Sequence, residues 1–461
     1  MKKALFLLCI LLALIFSGCD QAPQSSSNTE DREQTSQVPS NTKDREQAAQ
    51  APSNTEDREQ ASQVPSNTKD REQASQAPSN TEDREQASQS SSGAETSDPY
   101  VLKVPPEDRN QAFIGASFVE TPDCYYYCHD CLIYFCPRGT AAFYPLCGKP
   151  NCSHSDENCN AWCGEGSPLG YYDGALYAAD ANAGSIRLVR MNLDGTDHEV
   201  VANVDTSKFG IYYCVFHHGK LFIAGQDNPS QTDIKEPCSV IAFDLSDYSQ
   251  KELAADYFAD SVCTPDLFCF YKDKIYVNDS RLGTGEPGSD EDDRFVELDA
   301  ETGEVRTLAS KVICSAYATD TTLYYLEKNT RYLDSDHGDE VEGAENPGFR
   351  EYDLKTGEVK DCGLPVADAR FAVYDEDYIY LWGFPRGTED EQKMTFYFLS
   401  RDYQLIDQIE LNSNEWPALV TSDRVLLYDF CLNAKQNTLG FYLDKSKIGS
   451  HDLKLEPIEN H

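Results

Sequence analysis

Basic residues are scarce in this sequence. It has 39 Lys and Arg against 79 Asp and Glu among 461 residues, which gives a formal net charge of −40 at pH 7. Most of this excess, about −33, falls in residues 99–461. Phosphate backbones and anionic lipid headgroups repel such an acidic domain. The composition therefore argues against a nucleic-acid partner.

Long apolar runs are also lacking, apart from one near the N-terminus. Residues 4–16 form an apolar run behind Lys2 and Lys3. This run is shorter than the roughly 20 residues of a membrane-spanning helix, but it is typical of a secretory signal. It ends in "FSGC", which resembles the lipobox of bacterial lipoproteins. We predict a signal peptide over residues 1–18, lipidation at Cys19 and attachment to the extracytoplasmic face of the bacterial cell membrane. A plain cleaved signal with an incidental cysteine is the alternative.

Aromatic residues are absent from residues 20–98, where the only larger aliphatic residues are Val38 and Val64. Five copies of a 13-residue repeat that begins Ser-Asn-Thr occupy most of this segment. A segment of this composition cannot bury enough apolar surface to offset its conformational entropy. We therefore predict that residues 19–98 are a lipid-anchored, disordered stalk.

Helical periodicity is lacking in residues 99–461, and a short strand pattern recurs there instead. An aliphatic residue followed by an aromatic one, or by leucine in the last copy, comes just after a turn in seven places. The second position of this pair is Tyr134, Tyr177, Phe222, Tyr276, Tyr324, Tyr380 and Leu426. A tight hairpin such as "NLDGTD" or "DAETGE" follows most copies.

Four-stranded units at this spacing predict an all-β fold, a seven-bladed β-propeller over residues 99–461, with six or eight blades as alternatives. Residues 111–123 are expected to supply the strand that closes the ring with the C-terminal blade. The blade running from "GALYAAD" to "NLDGTD" resembles those of exported clostridial-type lipoproteins with YWTD-like or TolB-like propellers. The resemblance extends over the whole of residues 99–461.

Cysteines are plentiful, and eight of the 17 lie between residues 124 and 163. Cys147, Cys152, His154 and Cys159 are the residue types of a tetrahedral zinc site. The resembled family often carries a similar segment after its first blade. This chain matches that segment at Leu146, Cys147, Lys149, Pro150, Cys152, His154, Cys159, Asn160 and Ala161.

Disulfides are the equal alternative, because exported thiols usually oxidise. Besides the three cysteines among the candidate zinc ligands, a disulfide cluster would draw on Cys124, Cys128, Cys131, Cys136 and Cys163. Under either alternative this stretch is expected to act as a staple on the loop that leaves blade one. Three further cysteines, Cys214, Cys269 and Cys314, are predicted to be small buried residues on inner strands.

Signatures of catalysis are missing: there is no G-x-S-x-G and no phosphate-binding glycine loop. His217 and His218 are expected to be solvated turn residues, and the acidic stretches 284–293 and 332–346 to be loops, with calcium binding as a minor alternative.

The leading hypothesis is a non-enzymatic binding module for a protein, peptide or glycan, with Trp382 and Trp416 as contact or core residues. An extracellular hydrolase or lyase acting on polysaccharide is the alternative. A redox or metal-buffering role for the cysteines is a third.

Overall fold

The computed structural model describes most of the chain after residue 100. The described residues are 101–108, 117–164, 167–182, 185–206, 209–227, 238–261, 264–280, 293–310, 313–327, 348–363, 365–366, 371–383, 393–412, 415–429 and 438–460. The predicted signal peptide, Cys19 and the repeats lie outside them, as do the two acidic stretches apart from Asp293. Within the described ranges, no helix has the length and apolar character needed to cross a membrane.

The described residues form seven antiparallel sheets, the blades of a propeller. Blade one contains β1 (Phe118–Glu120), β2 (Cys124–His129), β3 (Leu132–Pro137) and β4 (Ala142–Pro145). Blade two contains β5 (Leu169–Tyr172), β6 (Ala175–Asn182), β7 (Ser185–Asn192) and β8 (Glu199–Asp205). Blade three contains β9 (Phe209–His217), β10 (Lys220–Asp227), β11 (Cys238–Asp244) and β12 (Gln250–Leu253).

Blades four to seven repeat this order. Blade four contains β13 (Asp266–Tyr271), β14 (Lys274–Ser280), β15 (Asp293–Asp299) and β16 (Val305–Ala309). Blade five contains β17 (Ile313–Ala318), β18 (Thr322–Glu327), β19 (Phe349–Asp353) and β20 (Val359–Gly363). Blade six contains β21 (Phe371–Tyr374), β22 (Tyr378–Gly383), β23 (Lys393–Ser400) and β24 (Leu405–Asn412). Blade seven contains β25 (Glu415–Val420), β26 (Arg424–Asp429), β27 (Thr438–Asp444) and β28 (Glu456–Pro457).

These sheets confirm the predicted seven-bladed propeller. Within the described residues the helical segments are one turn of α-helix, α1 (Ala255–Phe258), and a 3₁₀ turn at Lys445–Lys447. The first strand of each blade is innermost, and buried side chains of neighbouring blades pack together in clusters between the sheets. Trp382 is 1% exposed in the cluster between blades six and seven, and Trp416 packs edge-on against it, so both are core residues.

The recurring aliphatic–aromatic strand is the second strand in six blades but not in blade one. There Tyr134 lies in β3, the third strand. The turn joining β1 to β2 matches the first hairpin of blade seven, because Thr121 and Thr421 each donate a side-chain hydrogen bond to the carbonyl three residues on. The equivalent strand of blade one is therefore β2, which carries three consecutive tyrosines.

Ring closure also differs from the prediction for residues 111–123. The described part of that segment includes β1, which pairs with β2 inside blade one instead of with the C-terminal blade. The C-terminal strand β29 (Glu459–Asn460) leaves blade seven and pairs in parallel with β4 at the outer edge of blade one. The segment before blade one thus supplies its innermost strand, and the C-terminus supplies the closing strand.

Polar contacts reinforce the seam between blades seven and one. Glu120 accepts hydrogen bonds from the Arg138 guanidinium at 2.7 Å and from the Ser422 backbone N–H at 3.0 Å. Arg424 donates to the Thr140 carbonyl across the same seam at 2.8 Å. These charges are largely buried and paired, as buried charges must be. The seam is therefore closed by side chains as well as by the two-residue strand.

A short segment crosses one end of the ring before blade one begins. Lys103 forms an ion pair with Asp377 in the first hairpin of blade six. At the other end of the segment, the Glu107 carbonyl accepts from the His218 backbone N–H at 2.7 Å, and Asp108 contacts His218 Nδ1 at 2.7 Å. His218 lies in the first hairpin of blade three. Residues 101–108, hereafter the crossing segment, therefore join two blades on opposite sides of the ring.

Candidate metal centre

Three cysteines and a histidine come together in the loop between β4 and β5. The ligand atoms of Cys147, Cys152, His154 and Cys159 all lie within 4.8 Å of one another. His154 Nδ1 is 3.2 Å from Cys159 Sγ. Cys159 is buried and the other three are partly exposed. Three sulfurs and one imidazole at these separations form the donor set of a tetrahedral structural zinc site.

Local backbone geometry brings the four side chains together within 13 residues. Asn151 and His154 both adopt left-handed conformations, with φ of 60° and 52°, which reverse the chain between the ligands. A turn then places Cys159, whose N–H donates to the Asp156 carbonyl at 3.0 Å. The Ala161 N–H points at Cys159 Sγ at 3.4 Å, as a donor stabilising a thiolate does. The loop is thus folded around the point where the ligand atoms converge.

The thiols of this cluster differ in acidity. Burial raises the pKa of Cys147, but hydrogen bonds from the backbones of Lys149 and Asn160 outweigh it and leave this pKa below its ordinary value. Burial and the neighbouring thiols of Cys147 and Cys152 raise the pKa of Cys159 to about 12. Neighbouring thiolates repel one another, and a bound cation removes that repulsion. Because zinc takes the thiolate form, its binding would release protons from this cluster.

Backbone hydrogen bonds fix the loop to blade one. The Ile133 N–H donates to the Ala161 carbonyl and the Leu146 N–H to the Ile133 carbonyl, both at 2.8 Å. Trp162 forms a β-bridge with Leu132. Leu146, Cys159 and Ala161 belong to the hydrophobic cluster between blades one and two. The loop is therefore part of the packing between two blades, the structural position expected for a staple.

One close contact joins this loop to blade two. Gly195, at the tip of the β7–β8 hairpin, has φ of 76°, and a Cβ placed there would lie 2.4 Å from the Leu146 carbonyl oxygen. We expect Gly195→Ala to lower the free energy of unfolding by about 2–4 kcal/mol, because it adds left-handed strain to a steric clash with backbone. Chemical denaturation measures the change.

The matched control is Gly174→Ala. Gly174 has a nearly identical φ of 78°, but a Cβ there would meet nothing within 4 Å. We expect a cost of only about 1–2 kcal/mol, from the left-handed conformation alone. Equal costs for the two alanines would show that the Leu146 contact contributes nothing.

The other cysteines of the cluster are distributed over blade one and the end of the loop. Cys128 Sγ and Cys163 Sγ are 3.0 Å apart and both residues are buried. Cys136 contacts the Thr140 hydroxyl at 3.4 Å, Cys124 begins β2, and Cys131 lies in the β2–β3 turn. On the inner strands, Cys214 and Cys269 are buried, as predicted, and Cys314 is half-buried.

Cys159 does not have the environment of a catalytic nucleophile. Cys159 is 1% exposed and its thiol pKa is raised, whereas a catalytic cysteine needs an accessible thiolate.

The prediction that His217 is a solvated turn residue is wrong. His217 is 2% exposed, bonds the Lys272 carbonyl through Nε2 at 2.9 Å and packs against Phe270. It lies at the end of β9, where its ring is covered by blade four.

A cavity of about 160 Å³ lies beneath the crossing segment. The first strands of blades one, five, six and seven line it through Phe118, Tyr317, Tyr374 and Leu419, and Val104 covers it from the crossing segment. Acidic side chains, among them Glu120, Asp375 and Glu376, lie around it. No local sequence pattern indicates this cavity, because its walls come from segments more than 300 residues apart.

Comparison with known proteins finds similarity of fold alone. No protein-family model matches the chain, and no curated protein sequence matches it. A prolyl endopeptidase aligns over 76% of this chain and 50% of its own, with 11% identity and a TM-score of 0.44. The tricorn protease aligns over 78% and 36%, with 13% identity and a TM-score of 0.43. The β-propeller domain of the Trilobed protease from Pyrococcus furiosus aligns over 78% and 96%, with 12% identity and a TM-score of 0.39. This chain thus spans about half the length of the prolyl endopeptidase.

Proposed function

We propose that this protein is a lipid-anchored surface protein whose propeller binds a protein, peptide or glycan without catalysing a reaction. The observation that carries the proposal is the Cys147–Cys152–His154–Cys159 cluster. Among the described residues it is the group of Cys and His side chains placed to hold a metal ion, and it supplies four protein ligands. A catalytic zinc keeps one position open for water or substrate, whereas four protein ligands close the site.

In this proposal one zinc ion holds the loop between blades one and two. The donor set and the distances between the ligand atoms fit zinc. The hydrophobic cluster between blades one and two, to which Cys159 belongs, fits a structural role for the ion. The zinc stabilises the blade-one edge, against which β29 closes the ring. The metal therefore supports the binding surface and takes no part in binding.

The ligand contact is assigned to the cavity beneath the crossing segment. Ligand pockets for small molecules usually enclose about 300–1,000 Å³, and this cavity is well below that size. It suits one inserted side chain or the edge of a sugar better than an enclosed substrate. Glu120 and Asp375 of its lining are already paired with Arg138 and Lys445, and Lys103 also lines it. The lining therefore favours an uncharged polar or apolar group over a free cation.

Array binding with matched variants tests this proposal. The full chain, purified in detergent, is applied to peptide and glycan arrays, and the best ligand is then titrated. Val104→Trp fills the cavity and should weaken binding at least about tenfold. Val101→Trp, at a residue 83% exposed and outside the cavity, is the control and should leave binding unchanged. Equal affinities for both variants would remove the cavity from the proposal.

Turnover assays separate this proposal from the enzymatic alternative. The same preparation is incubated with extracellular polysaccharides, and new reducing ends and unsaturated products are measured. We expect neither to accumulate above a buffer control. Release of either product that disappears in a Val104→Trp preparation would instead establish the hydrolase or lyase.

A further inference from the structure

We propose that Cys128 and Cys163 form a disulfide bond that joins strand β2 of blade one to the end of the loop leading to blade two. The two Sγ atoms are 3.0 Å apart, about 1 Å farther than a bonded pair. Neither residue belongs to the candidate metal centre. The bond would close a second staple on the same loop, independent of zinc.

The backbones of the two residues are already held in place. The Cys163 N–H donates to the Cys131 carbonyl at 2.9 Å, and the neighbouring Trp162 bridges to Leu132. Cys128 lies in β2, where it pairs with Ile133 of β3. The two sulfur atoms therefore face each other because backbone pairing holds both segments of the chain in place. The two Sγ atoms need to approach by about 1 Å to reach bonding distance.

The surroundings suit a permanent bond better than an exchanging one. Cys128 and Cys163 are each 2% exposed, inside the hydrophobic cluster between blades one and two. Reagents reach such buried sulfurs poorly, so the bond would form during folding, before the loop packs against blade two. In an oxidising compartment a buried pair of this kind persists.

Formation of the Cys128–Cys163 bond requires a two-electron oxidant, and a disulfide compound can serve as that oxidant. One cysteine attacks the oxidant as a thiolate, forming a mixed disulfide and releasing the first thiol of the oxidant. The second cysteine then attacks the mixed disulfide, joins Sγ to Sγ and releases the second thiol. The two cysteines lose two electrons and two protons, and the oxidant gains both.

Peptide mapping tests the bond directly. The full chain is purified in detergent without reductant, unfolded in iodoacetamide and digested for mass spectrometry. We expect a pair of peptides containing Cys128 and Cys163, lighter by two hydrogens than their sum and separated by reductant. Alkylation of both cysteines without reductant, or a link from either one to a different cysteine, would overturn the proposal.

Thermal unfolding of variants gives a second readout. Reductant should lower the Tm of the wild-type chain by on the order of 5 °C, as expected for a bond that closes a loop of about 35 residues in a chain of this size. Cys128→Ser, Cys163→Ser and the double variant should show similar losses and no response to reductant. Cys136→Ser, at a buried cysteine of the same blade, should keep the reductant response.

Zinc content separates this bond from the proposed metal centre. Cys128→Ser should bind as much zinc as the wild-type chain, because Cys128 is not among the four clustered ligands. Loss of zinc from this variant would mean that Cys128 contributes to the metal centre and would overturn the disulfide. A chain that holds no zinc yet contains the linked peptides would leave the disulfide established and the zinc proposal refuted.

Discussion

Cys152→Ser is expected to abolish zinc binding and to lower the free energy of unfolding by about 4 kcal/mol when zinc is present at about 1,000 times its Kd. Cys152 supplies one of the three sulfurs of the candidate metal centre, and a serine hydroxyl remains protonated where a thiolate is needed. Metal analysis measures the first effect, and chemical denaturation with and without chelator measures the second.

Ser153→Ala is the matched control for that variant. Ser153 is the exposed neighbour of Cys152, and its hydroxyl bonds Ser155 at 2.7 Å. We expect this variant to keep its zinc and to lose stability on chelation as the wild-type chain does. Cys152→Ser should resemble the chelated wild-type chain and be insensitive to chelator. A chelator effect of equal size in all three chains would contradict a role for Cys152 as a ligand.

Lys445→Met is expected to lower the free energy of unfolding by about 3–5 kcal/mol, because it leaves a buried carboxylate without its cation. Lys445 Nζ lies 2.6 Å from Asp375 Oδ2, with side-chain exposures of 6% and 10%. Asp375 also accepts from the Tyr380 hydroxyl at 2.6 Å, and Lys445 donates to the Thr421 carbonyl at 3.0 Å. This network joins the first hairpin of blade six to blade seven. Urea denaturation measures the loss.

A second lysine–aspartate pair between blades provides the control. Lys272 of blade four pairs with Asp320 of blade five, but the side chains are 60% and 70% exposed. Lys272→Met should cost far less than Lys445→Met, because water and salt screen the pair. Lys445→Met combined with Asp375→Asn should recover part of the loss, since no charge is then left unpaired. Similar costs for Lys445→Met and Lys272→Met would contradict the role assigned to burial.

The propeller could be predicted because each blade repeats the same local requirement. A second strand buried on both faces needs apolar residues at successive positions, and tight hairpins need residues that accept positive φ. In blade one the aliphatic–aromatic pattern selects the third strand instead of the second, because β3 contains "LIYF" whereas β2 contains "YYY". Closure by β29 cannot be predicted from the sequence, because a strand of two residues has no periodicity to detect.

The four candidate ligands could be found from spacing because they lie within 13 residues of one another. Long-range partners could not be found in this way. Asp375 and Lys445 are 70 residues apart, and nothing in either local sequence indicates the other. His217 illustrates the same limit, because the carbonyl that it contacts belongs to Lys272 in the next blade. The surroundings and partners of such side chains are determined by tertiary contacts between blades.

The central claim is that the loop between blades one and two folds around one zinc ion. The most direct test is to purify the full chain without oxidants or chelators and to measure bound metal and free thiols in the same sample. The account predicts one zinc per chain, with Cys147, Cys152 and Cys159 protected from alkylation until a chelator is added. A chain without metal, in which these three cysteines are alkylated at once or are joined in disulfides, would contradict it.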